Sequence, residues 1–232
     1  MASERVSRIP RLSADTWGTI FGLAYLVVMT NVMLLVSTLP LVVLLATTDP
    51  AASWPALAIA AVLAMPALPA AFAVFSRFTD ERSTEIARTF ARGWWRTLRR
   101  ALAVGVLAVG VVVVLAVDAA ALWGTRLGAV VLPFFMVLAL LACSTALLAL
   151  VASIERPDAR LRDVLKASLY LGVRRWYLTA GSFLILALLA GLFVEQPALA
   201  IGLASTPLLY AVWGNSRYTL RPVLPVGAAV AV

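Results

Sequence analysis

Long runs without a charged residue alternate with short charged segments along the whole chain. About 20 apolar residues suffice to cross the hydrocarbon of a bilayer, and backbone groups in lipid must pair within a helix. Six runs meet this length, the third by continuing past Asp118, so the pattern predicts six transmembrane helices. The predicted spans are 17–46, 53–77, 101–123, 127–153, 177–194 and 197–214.

The basic residues are sorted to alternate connections between these spans. Eighteen of the 19 Lys and Arg residues lie in the N-terminal tail, the second and fourth connections, or the C-terminal tail; Arg126 is the exception. Cytoplasmic segments of membrane proteins carry such an excess of Lys and Arg. We therefore expect a multi-pass protein of the cytoplasmic (inner) cell membrane with both termini cytoplasmic. It has a tail over 1–16, a six-span domain over 17–217 and a tail over 218–232.

The composition is typical of a membrane protein and excludes several classes of function. Of 232 residues, 63% are hydrophobic and 13% are charged, against about 25% charged in soluble domains. The chain has no His and one Cys, Cys143, which excludes an internal disulfide and a Cys/His metal site. A triad with a His base is excluded, and a GxxxxGK[ST] nucleotide loop is absent. We predict a non-enzymatic protein with no cofactor. Its net charge of +8 predicts an interaction of its basic residues with the anionic inner leaflet of the lipid bilayer and not with nucleic acid.

Two of the basic connections have the periodicity of amphipathic helices, predicted over 80–99 and 158–175. At about 100° per residue, apolar residues share one side of each segment and most of the charged residues share the other. Trp94 and Trp95 lie in the first segment and Trp176 directly follows the second, and Trp favours the depth of the membrane interface. The candidate residues for binding a partner or the membrane surface are Arg88, Arg92, Trp94, Trp95, Arg96, Arg162, Arg174, Arg175 and Trp176.

Two interpretations of these segments stay open. They can lie on the anionic inner leaflet, where each Arg contributes about 1 kcal/mol of attraction. They can also dock another protein, because Arg and Trp are frequent anchors of interfaces. Aligning Gly93 with Gly172 also aligns Arg96 with Arg175, which indicates a weak internal duplication of the kind many transport folds show.

Polar and proline residues inside the spans form a second group of candidates: Asn31, Pro40, Pro66, Pro69 and Pro207. An Asn near the middle of a span either belongs to a functional site or hydrogen-bonds a neighbouring helix, and we favour the second. Proline removes a backbone donor and kinks a helix. Kinked helices line transport sites in some proteins but are also common in ordinary bundles, and we favour the ordinary role.

Three stretches carry a resemblance to a known family: "NVMLLVSTLP" (Asn31–Pro40), "PALPAAFAVFSRF" (Pro66–Phe78), and Phe90 before Gly93-Trp94-Trp95. They resemble the YesL family of bacterial membrane proteins, whose function is poorly defined. That family has an Asn and a Leu-Pro in its first span, a Pro-Ala-x-x-Ala-type end to its second, and a Phe in the following basic loop. Here Pro69-Ala70 stands where a Thr-containing pair is more usual.

The resemblance implies a role beside other membrane proteins. Members often accompany carbohydrate uptake systems of the ABC type, so the leading hypothesis is a non-enzymatic accessory subunit with ABC permease or ATPase subunits as partners. The alternative is a self-contained oligomeric transporter or channel for a small solute. Beyond Asn31, its polar pathway would have to use Ser37, Thr38, Ser144, Thr145, Ser205 and Thr206.

An intramembrane enzyme is least favoured, because the sequence offers no His and no evident buried carboxylate pair. All three hypotheses share one fold class. It is an all-α polytopic membrane protein with six transmembrane helices and two cytoplasmic amphipathic helices.

Overall fold

The computed structural model describes the backbone of residues 14–81 and 85–223, and the side chains of 21–80 and 85–223. Over these ranges the regular structure is entirely helical, as predicted. The helices are α1 (Ala14–Thr47), α2 (Trp54–Ala64), α3 (Ala67–Glu81), α4 (Ile86–Leu122), α5 (Arg126–Glu155), α6 (Leu161–Arg174), α7 (Trp176–Glu195), α8 (Pro197–Leu199) and α9 (Ser205–Leu220). A π-helical turn, Ala200–Ala204, joins α8 to α9, and a 3-10 turn, Arg221–Val223, follows α9.

Six segments of the described chain are long and apolar enough to cross a membrane. They are Phe21–Thr47, Trp54–Asp80, Ile86–Leu122, Arg126–Glu155, Trp176–Glu195 and Pro197–Val223. Large apolar side chains such as Val36, Ile59 and Leu184 are exposed on their outer faces. Contact of so much apolar surface with water is unfavourable, whereas contact with lipid is not. The chain is therefore a multi-pass membrane protein, as predicted; most of the predicted N-terminal tail (1–13) and the end of the C-terminal tail (224–232) lie outside the described residues.

Two prolines divide the second span into α2 and α3. Pro66 has no N–H to donate to the carbonyl of Val62, four residues earlier. The N–H of Met65 donates to that carbonyl instead, at 3.2 Å. Pro69 likewise cannot donate to Met65, whose carbonyl accepts from the N–H of Leu68 at 3.3 Å. At this point two 3-10-type hydrogen bonds, each between residues three positions apart, replace the hydrogen bonds of a regular α-helix.

No helix boundary separates the predicted amphipathic helix over 80–99 from the predicted third span, which begins at 101. Helix α3 continues to Glu81, past the predicted end of the second span at 77. Helix α4 begins at Ile86, inside the predicted amphipathic segment, and runs without interruption into the predicted third span as far as Leu122. The apolar side of its first turns packs on α3, where a Cβ on Gly93 would lie 3.0 Å from the Cβ of Ala73. The sequence pattern could not distinguish a helix that lies on the membrane surface from one that packs on α3. In both positions an amphipathic helix buries its apolar side, against lipid or against another helix.

The second amphipathic segment is a helix of its own, α6, which is shorter than the predicted 158–175. Arg175 leaves helical geometry with φ −113° and ψ 44°, and so separates α6 from α7. The apolar side of α6 packs on α5, where a Cβ on Gly172 would lie 3.4 Å from both Leu148 Cδ1 and Ser144 Oγ. Gly93 and Gly172, which align in the sequence, therefore both lie at close contacts between helices.

The sixth span is also irregular and longer than the predicted 197–214, since α9 continues to Leu220. In the π-helical turn, the N–H of Ser205 bonds to the carbonyl of Ala200, five residues earlier, and the Ser205 hydroxyl donates to the same carbonyl at 2.8 Å. Pro207 follows in the first turn of α9. Turns of this kind often accompany functional or strained positions in helices.

Candidate functional site at the basic end of the bundle

The helix ends that carry most of the described arginines meet at one end of the bundle, which we term the basic end. Here α3, α5 and α9 end and α4 begins. The helices are densely packed near this end: α3 buries Phe72 and Phe75, and α5 buries Leu150 and Val151. A rigid base of this kind holds the charged side chains in defined positions.

Arg217 on α9 joins two carboxylates from two other helices. Its Nε lies 3.4 Å from Glu155 Oε1 on α5, and its Nη1 lies 3.9 Å from Asp80 Oδ1 on α3. The Glu155 side chain is only 6% exposed, whereas that of Asp80 is 47% exposed. A buried carboxylate requires a nearby cation, so Arg217 connects the ends of three membrane helices.

Aromatic side chains fix the position of Arg217. Its guanidinium carbon lies 5.2 Å from the centroid of the Trp213 ring, within cation–π range. Trp213 packs on Phe75 and Tyr210, with ring centroids 6.2 Å and 5.5 Å apart. The hydroxyls of Tyr210 and Thr79 lie 3.1 Å apart, which links α9 to α3 once more.

A pocket of about 540 Å³ lies beside this ion pair, between α3, α4 and the end of α5; we term it the basic pocket. Four arginines line it: Arg77 from α3, and Arg92, Arg96 and Arg100 from α4. Asp80 also lines it. Two of these residues, Arg92 and Arg96, belong to the group predicted from the sequence to bind a partner.

The floor of the basic pocket is made of small polar residues whose side chains are buried. The Thr97 hydroxyl donates to the Gly93 carbonyl, and the Ser153 hydroxyl donates to the Ala149 carbonyl, both at 2.8 Å. Arg77 Nη1 donates to the Thr89 hydroxyl at 3.3 Å across the pocket. Four arginines against one aspartate among the described lining residues give the pocket a net positive charge, which suits an anion.

The remaining candidates on α4 lie outside the basic pocket. Arg88 is 3.9 Å from Glu85, in a pair exposed to solvent. Trp94 is half-buried against the core, and its ring meets that of Trp95 edge to face with centroids 5.1 Å apart. Trp95 is 71% exposed. The two tryptophans thus have different environments, one structural and one on the surface.

The candidates around α6 divide in the same way. Arg175 Nη1 donates to the Tyr218 carbonyl at 2.8 Å, and its guanidinium carbon lies 5.5 Å from the Tyr218 ring, so it connects the α6–α7 junction to α9. Arg174 donates to the Tyr170 hydroxyl on its own helix at 3.4 Å. Arg162 and Trp176 are exposed.

The candidates inside the spans also have distinct positions. Asn31 is buried and hydrogen-bonds to Gly202 in the π-helical turn and to Thr206 in α9. Pro40 lies within the unbroken helix α1 and is exposed, as is Pro207. Pro66 and Pro69 are buried at the break between α2 and α3. These residues are apart from the basic pocket, so the structure does not unite them into one site.

A second cavity of about 670 Å³ has the opposite chemistry. Apolar side chains from α1, α2, α4, α5 and α7 line it, including Leu41, Trp54, Val112, Leu147 and Phe183. A crevice of this kind in a spanning bundle matches an acyl chain better than a polar solute. Among the residues that the structure describes, no three His, Cys, Asp or Glu side chains lie close enough together to hold a metal ion.

Sequence reasoning missed Glu155, Arg217, Arg77 and Arg100 as site residues. A signal for the first two was present, because Glu155 directly follows the fourth uncharged run and Arg217 directly follows the sixth. When helices end at the same membrane face, the first charges after their apolar runs lie at the same depth. Which charges become neighbours, however, depends on the packing order of the helices.

Residues 26–119 are similar to a protein family of unknown function. They match the family model described as "Protein of unknown function, DUF624". The match covers less than half of the chain and extends from α1 into α4. The DUF624 region therefore includes Asn31, the proline break and the arginines of the basic pocket, whereas Glu155 and Arg217 lie beyond it. No curated protein and no solved structure matches the chain.

Proposed function

We propose that the protein is a non-enzymatic, YesL-like accessory subunit of a carbohydrate ABC-type uptake system, with its basic end and both termini in the cytoplasm. The DUF624 match includes the residues that carry the YesL resemblance. The sorting of basic residues supports the orientation. The described outer connections are short: α4 and α5 are joined through Gly124, whose φ is +79°, and α7 and α8 through Gln196. The polar surface available to a partner is therefore concentrated at the basic end.

One observation carries the docking role, namely an exposed stripe on α4 that we term the outer stripe. It consists of Arg88, Trp95 and Arg99, which fall within about 40° of one another on a helix. All three side chains are exposed, Trp95 most clearly. Arg and Trp are the residues most often found at the energetic centre of a protein interface. The outer stripe therefore suits an acidic cytoplasmic surface of a permease or ATPase subunit.

The test is purification of the tagged protein from its native membrane in several mild detergents, with identification of the companions by mass spectrometry. We expect ABC permease or ATPase subunits with the wild type. The variant R88E/R99E should retain at least about ten-fold less of them, since two attractive charges become repulsive. R126E changes one charge at the other end of the bundle and serves as the control, which should retain them fully.

Two results would contradict the proposal. A wild-type preparation without ABC subunits in every detergent would remove the accessory role. Equal recovery of those subunits with R88E/R99E would remove the outer stripe as the docking surface. If that variant instead lost only its affinity for vesicles rich in phosphatidylglycerol, the stripe would be a membrane anchor.

The internal contacts support this role over the alternative of a self-contained transporter or channel. Hydroxyls that a polar pathway would use donate to carbonyls instead: those of Thr38 and Thr145 to the preceding turn of their own helices, and that of Ser205 to Ala200. Thr206 donates its hydroxyl to Asn31. Flux measured in liposomes that contain this chain alone separates the two functions, and we expect none above empty liposomes.

A further inference from the structure

We propose that the basic pocket binds a phosphate-bearing anion, with the phosphate group held by the guanidinium groups of Arg92 and Arg96. This inference does not depend on the accessory role or on the outer stripe. It follows from the charge, the shape and the polar floor of the pocket, each of which is independent of what docks on the surface.

The charge of the pocket is concentrated on one helix. Arg92, Arg96 and Arg100 recur every four residues of α4, which places their side chains one above another along the same side. Like charges at this spacing repel and destabilise a helix. Among residues 21–80 and 85–223, no carboxylate lies within 4 Å of these three guanidinium groups. A bound anion would relieve this repulsion.

Asp80, the carboxylate among the described residues that line the pocket, is already engaged. Arg217 lies 3.9 Å from its Oδ1, and the Ser76 hydroxyl donates to its Oδ2 at 3.4 Å. Arg217 is also paired with Glu155, which is not part of the pocket lining. The Asp80–Arg217–Glu155 cluster therefore leaves the arginines of α4 with an excess of positive charge in the pocket.

The chemistry of the donors favours phosphate over other anions. Guanidinium groups present parallel N–H donors that match the oxygens of phosphate in pairs, and several of them can share one phosphate. The volume of about 540 Å³ exceeds that of a single phosphate ion and leaves room for the group attached to it. Basic pockets between membrane helices on the cytoplasmic side are suited to anionic lipid headgroups. The same chemistry is offered by a soluble phosphate ester.

The experiment compares two matched double variants of the full-length protein. R92Q/R96Q removes two charges that line the pocket, and R160Q/K166Q removes two exposed charges at and near the start of α6, outside the pocket. Glycerol 3-phosphate is titrated calorimetrically into each protein in phosphatidylcholine nanodiscs and in nanodiscs that also contain phosphatidylglycerol. Retained phosphatidylglycerol is counted by native mass spectrometry after extraction from the mixed nanodiscs.

We expect R92Q/R96Q to weaken phosphate binding at least about ten-fold, and R160Q/K166Q to change it less than about three-fold. Phosphatidylglycerol that is retained by the wild type and blocks glycerol 3-phosphate would identify a lipid headgroup as the source. Binding of glycerol 3-phosphate that is equal in both nanodiscs would identify a soluble phosphate ester.

Equal weakening by both double variants would overturn the proposal, because it would indicate general attraction to a basic surface. Absence of binding of both probes to the wild type would overturn it as well. If R92Q/R96Q does not fold, R92K/R96K replaces it. This variant keeps the charge but loses the paired donors, and we expect binding several-fold weaker than in the wild type; unchanged binding would contradict recognition by the guanidinium groups.

Discussion

Asn31 Oδ1 on α1 accepts two hydrogen bonds from Thr206 on α9, one from its backbone N–H at 2.9 Å and one from its hydroxyl at 2.6 Å. Asn31 Nδ2 donates to the Gly202 carbonyl at 2.9 Å. In a regular α-helix the Thr206 N–H would bond to that same carbonyl, four residues earlier. The Asn31 amide therefore occupies the gap that the π-helical turn opens, and it connects the first span to the last.

Replacement of Asn31 with Ala should destabilise the bundle by about 1–3 kcal/mol, because it leaves buried backbone groups of α9 without their partner. The measurement is thermal or denaturant unfolding in detergent. T38V is the control, since the Thr38 hydroxyl donates only to the preceding turn of its own helix. We expect T38V to change the stability by less than about 0.5 kcal/mol. If the two variants changed the free energy of unfolding equally, the hydrogen bonds between α1 and α9 would contribute nothing to stability.

Glu155→Gln should destabilise the protein more than Asp80→Asn. Glu155 is more deeply buried than Asp80 and lies closer to Arg217. Loss of the Glu155 charge leaves the largely buried Arg217 guanidinium without its nearer carboxylate, and Asp80 compensates only in part. We expect about 1–3 kcal/mol for E155Q and less than about 1 kcal/mol for D80N. A double-mutant cycle of Glu155 with Arg217 measures their coupling directly. The exposed pair of Arg88 and Glu85 supplies the control cycle, which should show less than about 0.5 kcal/mol.

Gly93→Leu should separate α3 from α4. A Cβ at this position would meet Ala73 at 3.0 Å and the backbone of Ala70 at 3.3 Å, so a larger side chain overpacks the contact by about 1–3 kcal/mol. Gly110→Leu on the same helix is the matched control, because nothing lies within 4 Å of a Cβ there. Stability of both variants is measured by unfolding in detergent. A G93L protein as stable as G110L would contradict the close packing of these helices.

Cysteine labelling tests the orientation of the basic end. Cys143 is the chain's single cysteine, so C143A provides a background without thiols. On this background, W95C and R162C should react with a membrane-impermeant maleimide only after the cytoplasmic face is opened. W123C, whose native side chain is 77% exposed at the other end of α4, should react from outside in intact cells. Labelling of W95C or R162C from the outside would reverse the topology and with it the proposed function.

The sequence determined the membrane character and the approximate position of each span. Uncharged runs long enough to cross a bilayer can fold only as helices there, so this part of the structure follows from local composition. The break in the second span was also readable, because Pro66 and Pro69 lack the donors that a continuous helix requires. The arginine-bearing side of α4 was readable in part, from the spacing of Arg92 and Arg96.

Tertiary structure decided what each of these features touches. The apolar side of the segment before Ala101 packs on α3 and not on lipid, since Gly93 and Ala73 allow close approach. Glu155 and Arg217 are 62 positions apart in the sequence, and only the packing of α5 beside α9 makes them partners. The partner of Asn31 depends likewise on the π-helical turn near Thr206. Hydrophobic periodicity reports that a side is buried, but the choice of neighbour is set by long-range packing, to which every helix contributes.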